Sequence, residues 1–138
     1  MRLRDIDEID ALTALLVGEA GGEDIVGKMA VADVVRNRLI DHRWPNTWKG
    51  VIFQRKQFSC MNSIPRNGQT DSGYFTHAWD DFWWKECRLA AFGIMYNCIE
   101  DITGGANHYY AYKLMPEPYW ATGHESNITI GGHKFYTL

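Results

Sequence analysis

Leu15-Leu16-Val17-Gly18-Glu19-Ala20-Gly21-Gly22-Glu23 is the stretch on which the fold turns. Upstream of it, Ile6, Ile9, Leu12, Leu15 and Leu16 recur at helical spacing and predict a first helix over Ile6 to Ala20. Asp5, Asp7 and Glu8 fall in its first turn, where acids favour the helix dipole. Gly21 and Gly22 end it, because glycine lets the chain turn sharply and lets another molecule approach the backbone. Asp24 can cap a second helix running to Asp41 or His42, whose apolar face includes Ile25, Val26, Met29, Val31, Val34, Val35 and Leu39. The small residues Gly27, Ala30 and Ala32 would let another helix pack closely. The result is a helical hairpin with Glu19 at its bend. Burial raises the pKa of a carboxyl towards neutrality, which suits a general acid. Glu23 would neighbour Glu19 at i,i+4 spacing, but the glycines interrupt that relation. The residues alone leave open whether both glutamates are simply polar groups at a helix end.

Downstream, Trp44-Pro45-Asn46-Thr47 reads as a turn, with Thr47 capping a short helix from Trp48 to Phe53. Gln54 to Asp71 is polar and carries Ile64-Pro65 and Asn67-Gly68, which predicts a long loop, and loops of this length in a domain are functional or disordered. A third long helix is expected from Asp80 to Ile99. Thr103-Gly104-Gly105 then breaks the chain. From Asn107 onward β-formers take over, and Gly131-Gly132 between Ile128-Thr129-Ile130 and His133-Lys134-Phe135-Tyr136 is a two-residue hairpin signal. The fold class is therefore α+β, a helical body with a small antiparallel β-region near the C-terminus, in one domain spanning 1–138.

The bulk numbers exclude more than they identify. With 138 residues there is room for one real core. A formal net charge of -3 gives no general attraction for nucleic acid or anionic membranes. No run is apolar long enough to span a bilayer, and the N-terminus lacks a signal-peptide core, so synthesis in the cytoplasm without stable membrane insertion is expected. Aromatic residues reach 14%, with 6 Trp and 7 Tyr, more platforms than a core of this size requires. Three cysteines leave at least one thiol free. Cys87 and Cys98, placed in one helix, stand too far apart to bridge and read as buried apolar thiols. No histidine pair has metal-ligand spacing, so neither metal nor cofactor is expected.

Other constellations have two readings each. Gln57 and Ser59 in the long loop could hydrogen-bond sugar hydroxyls or acetamido groups, or Phe58 could pack there with its polar neighbours in solvent. Cys60 with His108, His124 or His133 could form a nucleophilic pair, although Cys60 is not followed by an obvious helix. Tyr109, Tyr110, Tyr112, Tyr119 and Trp120 could form the core of the β-region or line a glycan groove, since pyranose C–H faces pack on flat rings.

Taken together, these residues resemble the SleB-type, spore cortex-lytic family of cell-wall hydrolases and its bacteriophage relatives. The resemblance rests on Glu19-Ala20-Gly21-Gly22-Glu23, Gly27 to Arg38, Trp44-Pro45-Asn46-Thr47, Gly50-Val51-Ile52-Phe53 and Gln57-Phe58-Ser59. It continues through Asp101 to Ala106, His108-Tyr109-Tyr110, and Ile130-Gly131-Gly132-His133-Lys134-Phe135-Tyr136. Many relatives carry a basic residue at the position of Gly21, and the Phe58-Ser59-Cys60-Met61 loop looks more like the phage members.

The resemblance implies a lysozyme-like domain acting on peptidoglycan glycan strands as a monomer. It implies cleavage of the β-1,4 bond between N-acetylmuramic acid and N-acetylglucosamine by lytic transglycosylation. Glu19 then matches the catalytic glutamate and Glu23 a supporting one. Gln57, Phe58, Ser59, His108, Tyr109, Tyr110 and Trp120 are the expected substrate-binding residues. A hydrolytic muramidase, a Cys/His peptidase cutting the peptide part of the same polymer, and a non-catalytic glycan-binding module are the alternatives.

Overall fold

The helical periodicity and the glycine punctuation resolve into four α-helices and one sheet in a computed structural model, which describes residues 5–54 and 82–138. The helices are α1 (Glu8–Ala20), α2 (Ile25–Leu39), α3 (Trp48–Ile52) and α4 (Phe82–Met95). The strands are β1 (His108–Ala111), β2 (Ile128–Ile130) and β3 (His133–Tyr136), with a 3-10 turn at Tyr119–Ala121 between the first two. α4 packs across both α1 and α2. Leu12, Leu15 and Leu16 of α1, with Val31, Val34 and Val35 of α2, are fully buried. Each such side chain contributes roughly 1.5–3 kcal/mol of transfer free energy. No described helix is long and apolar enough to cross a membrane.

The sheet is antiparallel in the order β1-β3-β2, so the last strand in sequence is the central one. Alternation along β1 and β3 gives it two dissimilar faces. Tyr109 and Phe135 join the helical core, while Tyr110 and Tyr136 form a second cluster with Ala121 under Trp120. The hairpin expected at Gly131-Gly132 is present, with Ile130 paired to His133. Gly131 has φ +57° and Gly132 has no positive φ, the pattern of a turn whose first central residue must be glycine.

Asp24 and Thr47 cap as the sequence predicts, accepting from the backbone N–H of Gly27 and Gly50. Other boundaries differ for identifiable reasons. α1 begins at Glu8, so Ile6, although buried, precedes the helix. Gly21 ends α1 without any left-handed excursion, at φ -59° and ψ -31°, so the bend does not draw on glycine's freedom there. α2 stops at Leu39 because Asp41 turns its carboxylate onto the Arg43 N–H and guanidinium, an alternative to the helical ladder. α3 ends at Ile52, one residue early.

α4 stops at Met95 because Asn97 adopts φ 55° and the Cys98 N–H reaches back to Gly93 O at 2.8 Å, a left-handed helix stop. Cys98 therefore lies outside the helix and is exposed, contrary to its reading as a buried helical thiol, while Cys87 is buried.

α2 is not the simple amphipathic helix its apolar residues implied, because Lys28, Asp33 and Arg38 are also buried. Each is matched. Lys28 Nζ donates to the Glu23 carbonyl at 2.6 Å and to Glu86 Oε1 at 3.0 Å, tying the α1–α2 bend to α4. Asp33 accepts from Arg36 at 2.9 Å and from the Ile102 N–H at 3.1 Å. Asn37 donates to the Ala106 carbonyl, and Arg38 Nε donates to the Asn107 carbonyl at 2.7 Å. Asp101 closes its own loop by accepting from the N–H groups of Thr103 and Gly105. This polar ladder delivers the chain into β1 at one position, because buried polar groups tolerate few arrangements in which all are satisfied.

Burial pushes the Asp33 carboxyl up to about 7, with the Asp101 carboxylate adding to the rise and the Ile102 N–H opposing it. A carboxyl raised in the folded state holds its proton more tightly there than in the unfolded chain. Its stabilising contribution is complete below the usual carboxylate range and is lost as pH rises towards 7. Asp33→Asn should remove that downward slope. Thermal melts of the two proteins between pH 4 and pH 7 should show the variant gaining relative stability as pH rises, and parallel curves would contradict the assignment.

Candidate active site

The last turn of α1, the bend after it, β1 and the β2–β3 hairpin converge on an open groove of about 730 Å³. Glu19, Glu23, Tyr109, Tyr110, Trp120 and His133 are among its lining residues. Glu19 is half-buried on α1, and its Oε2 accepts a hydrogen bond from the Tyr109 hydroxyl at 3.0 Å. Tyr109 is held in turn by edge contacts with the His133 ring, 5.2 Å between centroids, and by Phe135 behind it. The donor that meets the acid is thus braced by two residues of the central strand.

Glu23 is bound differently. Its Oε1 accepts from the Gly132 N–H at 2.9 Å and lies 3.3 Å from His133 Nδ1. The His133 nitrogen is buried and not aligned for a hydrogen bond, so that second contact is electrostatic. A Cβ on Gly131 would collide with Glu23 Oε2, one on Gly132 would come within 2.9 Å of Oε1, and one on Gly27 would come within 2.7 Å of the Glu23 Cβ. Three glycines therefore mould a socket around this side chain. Gly27, read from sequence as a helix-packing residue, serves Glu23 instead.

The two histidines of the β-region part company. Burial holds the His133 imidazole below its ordinary value, with Glu23 and then Glu19 opposing that shift. His108 lies on the other face of the sheet, between Trp44 and Trp120, with Nδ1 2.8 Å from Asn107 Oδ1. Burial, then the Arg38 and Arg43 charges, lowers it to about 4. It is not among the groove residues, whereas Tyr109, Tyr110 and Trp120 are. Because His108 is neutral when folded, its stabilisation is present above its ordinary value of 6.5 and is lost as pH falls towards 4.

Gln57, Phe58, Ser59 and Cys60 lie outside the described residues. Sequence reasoning missed His133 as a groove residue and Lys28 as the tether of the bend. The signal for the first was its place immediately after the Gly-Gly turn, and for the second a lone lysine inside an apolar helix. Among the described residues no group of three or more His, Cys, Asp or Glu side chains is arranged to hold a metal ion.

A family model described as Cell Wall Hydrolase matches residues 22–136, which include Glu23, Tyr109 and His133; Glu19 lies just before its start. Curated relatives are spore cortex-lytic enzymes. The one from Bacillus cereus is 36% identical over 55 residues, covering 40% of this chain and 21% of the relative. The one from Bacillus subtilis (strain 168) is 38% identical over 55 residues, covering 40% of this chain and 18% of the relative. The similarity thus spans only about a fifth of the length of these relatives.

Among solved structures, the chain is similar to the catalytic domain of the germination-specific lytic transglycosylase SleB from Bacillus anthracis. That match has a TM-score of 0.71 at 24% identity, covering 94% of this chain and 93% of that one. The Bacillus cereus SleB catalytic domain gives 0.69 at 23% identity, over 94% and 89%. At such identities the likeness establishes the fold.

If Gly131 is glycine partly to admit Glu23, then Gly131→Ala should cost about 1–3 kcal/mol in urea unfolding. Part of that cost should vanish when Glu23→Ala is already present. An equal cost in both backgrounds would leave the positive φ as its sole cause.

Proposed function

Because the chain belongs to the cell wall hydrolase family, we propose that it cleaves the β-1,4 bond between N-acetylmuramic acid and N-acetylglucosamine, by lytic transglycosylation with Glu19 as its acid and base. The observation that carries this reading is the unequal treatment of the two groove carboxylates. Glu23 is gripped by the hairpin through Gly132 and His133, whereas Glu19, half-buried at the end of α1, meets the groove beside the Tyr109 phenol.

In the proposed reaction, protonated Glu19 gives its proton to the glycosidic oxygen as the bond to C1 of the muramic residue breaks. The carboxylate so formed removes the proton from the 6-hydroxyl of that residue. The hydroxyl oxygen closes onto C1 and leaves a 1,6-anhydro end, with no water consumed. Proton donation and recovery at one atom need one residue. Hydrolysis would need a second working carboxylate, about 5–5.5 Å away if retaining or about 6.5–9.5 Å away if inverting. The acidic lining among the described residues is Glu19 and Glu23, and Glu23 is committed to its socket. The Tyr109 hydroxyl stabilises the carboxylate stage of the cycle, since hydrogen bonds to charged acceptors are stronger than neutral ones. Tyr110 and Trp120 supply ring surface at the groove for sugar C–H faces. The phage-like sequence Phe58-Ser59-Cys60-Met61 supports a lysis enzyme of a bacteriophage as the setting.

Digestion of purified sacculi followed by mass spectrometry should yield 1,6-anhydro-muropeptides. Reducing muramic ends would indicate a muramidase, new amino termini a peptidase, and retention without soluble product a binding module. Glu19→Gln should lower the rate roughly 10²–10⁴-fold with the fold intact, and substantial activity in that variant would sink the assignment. Tyr109→Phe should cost roughly ten- to hundredfold in kcat/KM, the scale of one hydrogen bond to a charged group.

A further inference from the structure

At one end of the groove, past β1, the chain makes a tight turn. Leu114 and Met115 both direct their N–H groups to the Ala111 carbonyl, at 3.0 and 3.2 Å. The turn places Lys113, Leu114 and Met115 on the groove lining. Leu114 is 89% exposed and Met115 47%. Aliphatic chains give a pyranose no flat ring to stack on and no partner for its hydroxyls, so these two residues are poorly suited to sugar. Two apolar side chains held in water beside a working groove mark a contact surface more readily than scattered surface residues do.

The charges beside them have the same character. Lys113 and Lys134 bring their ammonium groups to 5.7 and 5.1 Å from the ring centroid of one residue, Tyr112. Among the described residues no carboxylate pairs with either lysine. In a chain with net charge -3, two cations share one aromatic ring with no acid between them. Lys113 lines the groove with Tyr112 and Lys134 beside it, and the mutual repulsion of the two ammonium groups is relieved when an anion arrives.

The glycan of peptide-bearing strands is itself uncharged, because the lactyl carboxyl of each muramic residue is spent in the amide to its peptide. The anionic part of peptidoglycan is the short peptide joined to the lactyl ether of each muramic residue, which ends in carboxylates and carries alanine methyl groups. Any muramic residue lying beside Glu19 must send that peptide out of the groove. We propose that the Lys113-Leu114-Met115 turn, with Tyr112 and Lys134, is a subsite for this stem peptide. The lysines take its carboxylates, and Leu114 and Met115 take its methyl groups. The proposal rests on the glycan-cleaving reading above. It adds that the enzyme selects strands that still bear peptide, and that this selection is separate from the chemistry at Glu19.

The test compares two substrates made from one batch of sacculi: soluble glycan strands with their stem peptides, and the same strands stripped by an amidase, with the lactyl carboxylate that this cleavage exposes capped as its methylamide. The quantity read is the ratio of kcat/KM on the first to kcat/KM on the second. The wild type should favour peptide-bearing strands. Lys113→Glu should lower the ratio roughly three- to tenfold, the scale of an exposed ion pair lost and then reversed. Lys113→Arg should preserve it, and raising the salt to about 1 M should shrink the wild-type preference. Leu114→Ser should lower the ratio without altering its salt dependence. An unchanged ratio in Lys113→Glu, or an equal loss on both substrates, overturns the subsite while leaving the glycan-cleaving reading intact. Failure of the wild type to cut either substrate would instead overturn that reading, and the subsite with it.

Discussion

The Glu23 carboxylate in its glycine socket is the contact on which the rest of the site depends. It spans 109 positions of sequence, from the α1–α2 bend to the Gly132 N–H. Everything that faces the groove is placed relative to that link. α1 brings Glu19 up to the bend. The hairpin brings His133 and, through the neighbouring strand, Tyr109. Without the link, the hairpin would lose its directional tie to the α1–α2 bend, and apolar packing is non-directional and sets orientation loosely. A carboxylate acceptor on a backbone N–H is directional and short, so it fixes the hairpin against the bend that follows Glu19.

Behind this contact stands the buried polar ladder of α2. Lys28 holds the carbonyl of Glu23 from below, and Arg38 and Asn37 hold the segment that enters β1. A buried ammonium or guanidinium is expensive unless fully partnered, and apolar residues of similar size would often stabilise as well. What the charged set supplies is a single arrangement. The same ladder that admits the chain into β1 decides which of its side chains turn towards Glu19. It also accounts for the family-like motifs Gly27 to Arg38 and Asp101 to Ala106 as supports of the site, with no member required to touch substrate.

Much of this was legible in the sequence where a local rule applies. An apolar run ending in Glu19 marks the helix end, Asp24 and Thr47 announce caps, and Gly131-Gly132 announces a hairpin. Three things were not legible. Period-two alternation groups His108 with Tyr110 and Tyr109 with Ala111, but it cannot say which pair faces the helices, and the structure chose Tyr109. Gly21 ends its helix as expected but without using glycine's freedom, whereas Asn97, which was not singled out, is a left-handed stop. The partners that tie Lys28, Asp33 and Asn37 to later elements lie 58 to 69 residues away, beyond the reach of any local pattern. The boundaries failed where a side chain competed with the backbone, as Asp41 does at the end of α2.

The strand order has a consequence in time. Among the described strands β3 is made after the other two, yet it is the central one, and the turn before it completes the Glu23 socket. A nascent chain that has released only its helices already carries Glu19, but it has neither the Tyr109 donor nor the hairpin wall of the groove. The groove around Glu19 is therefore deferred until synthesis has passed residue 136, so a shorter product carries the glutamate without the walls that face it.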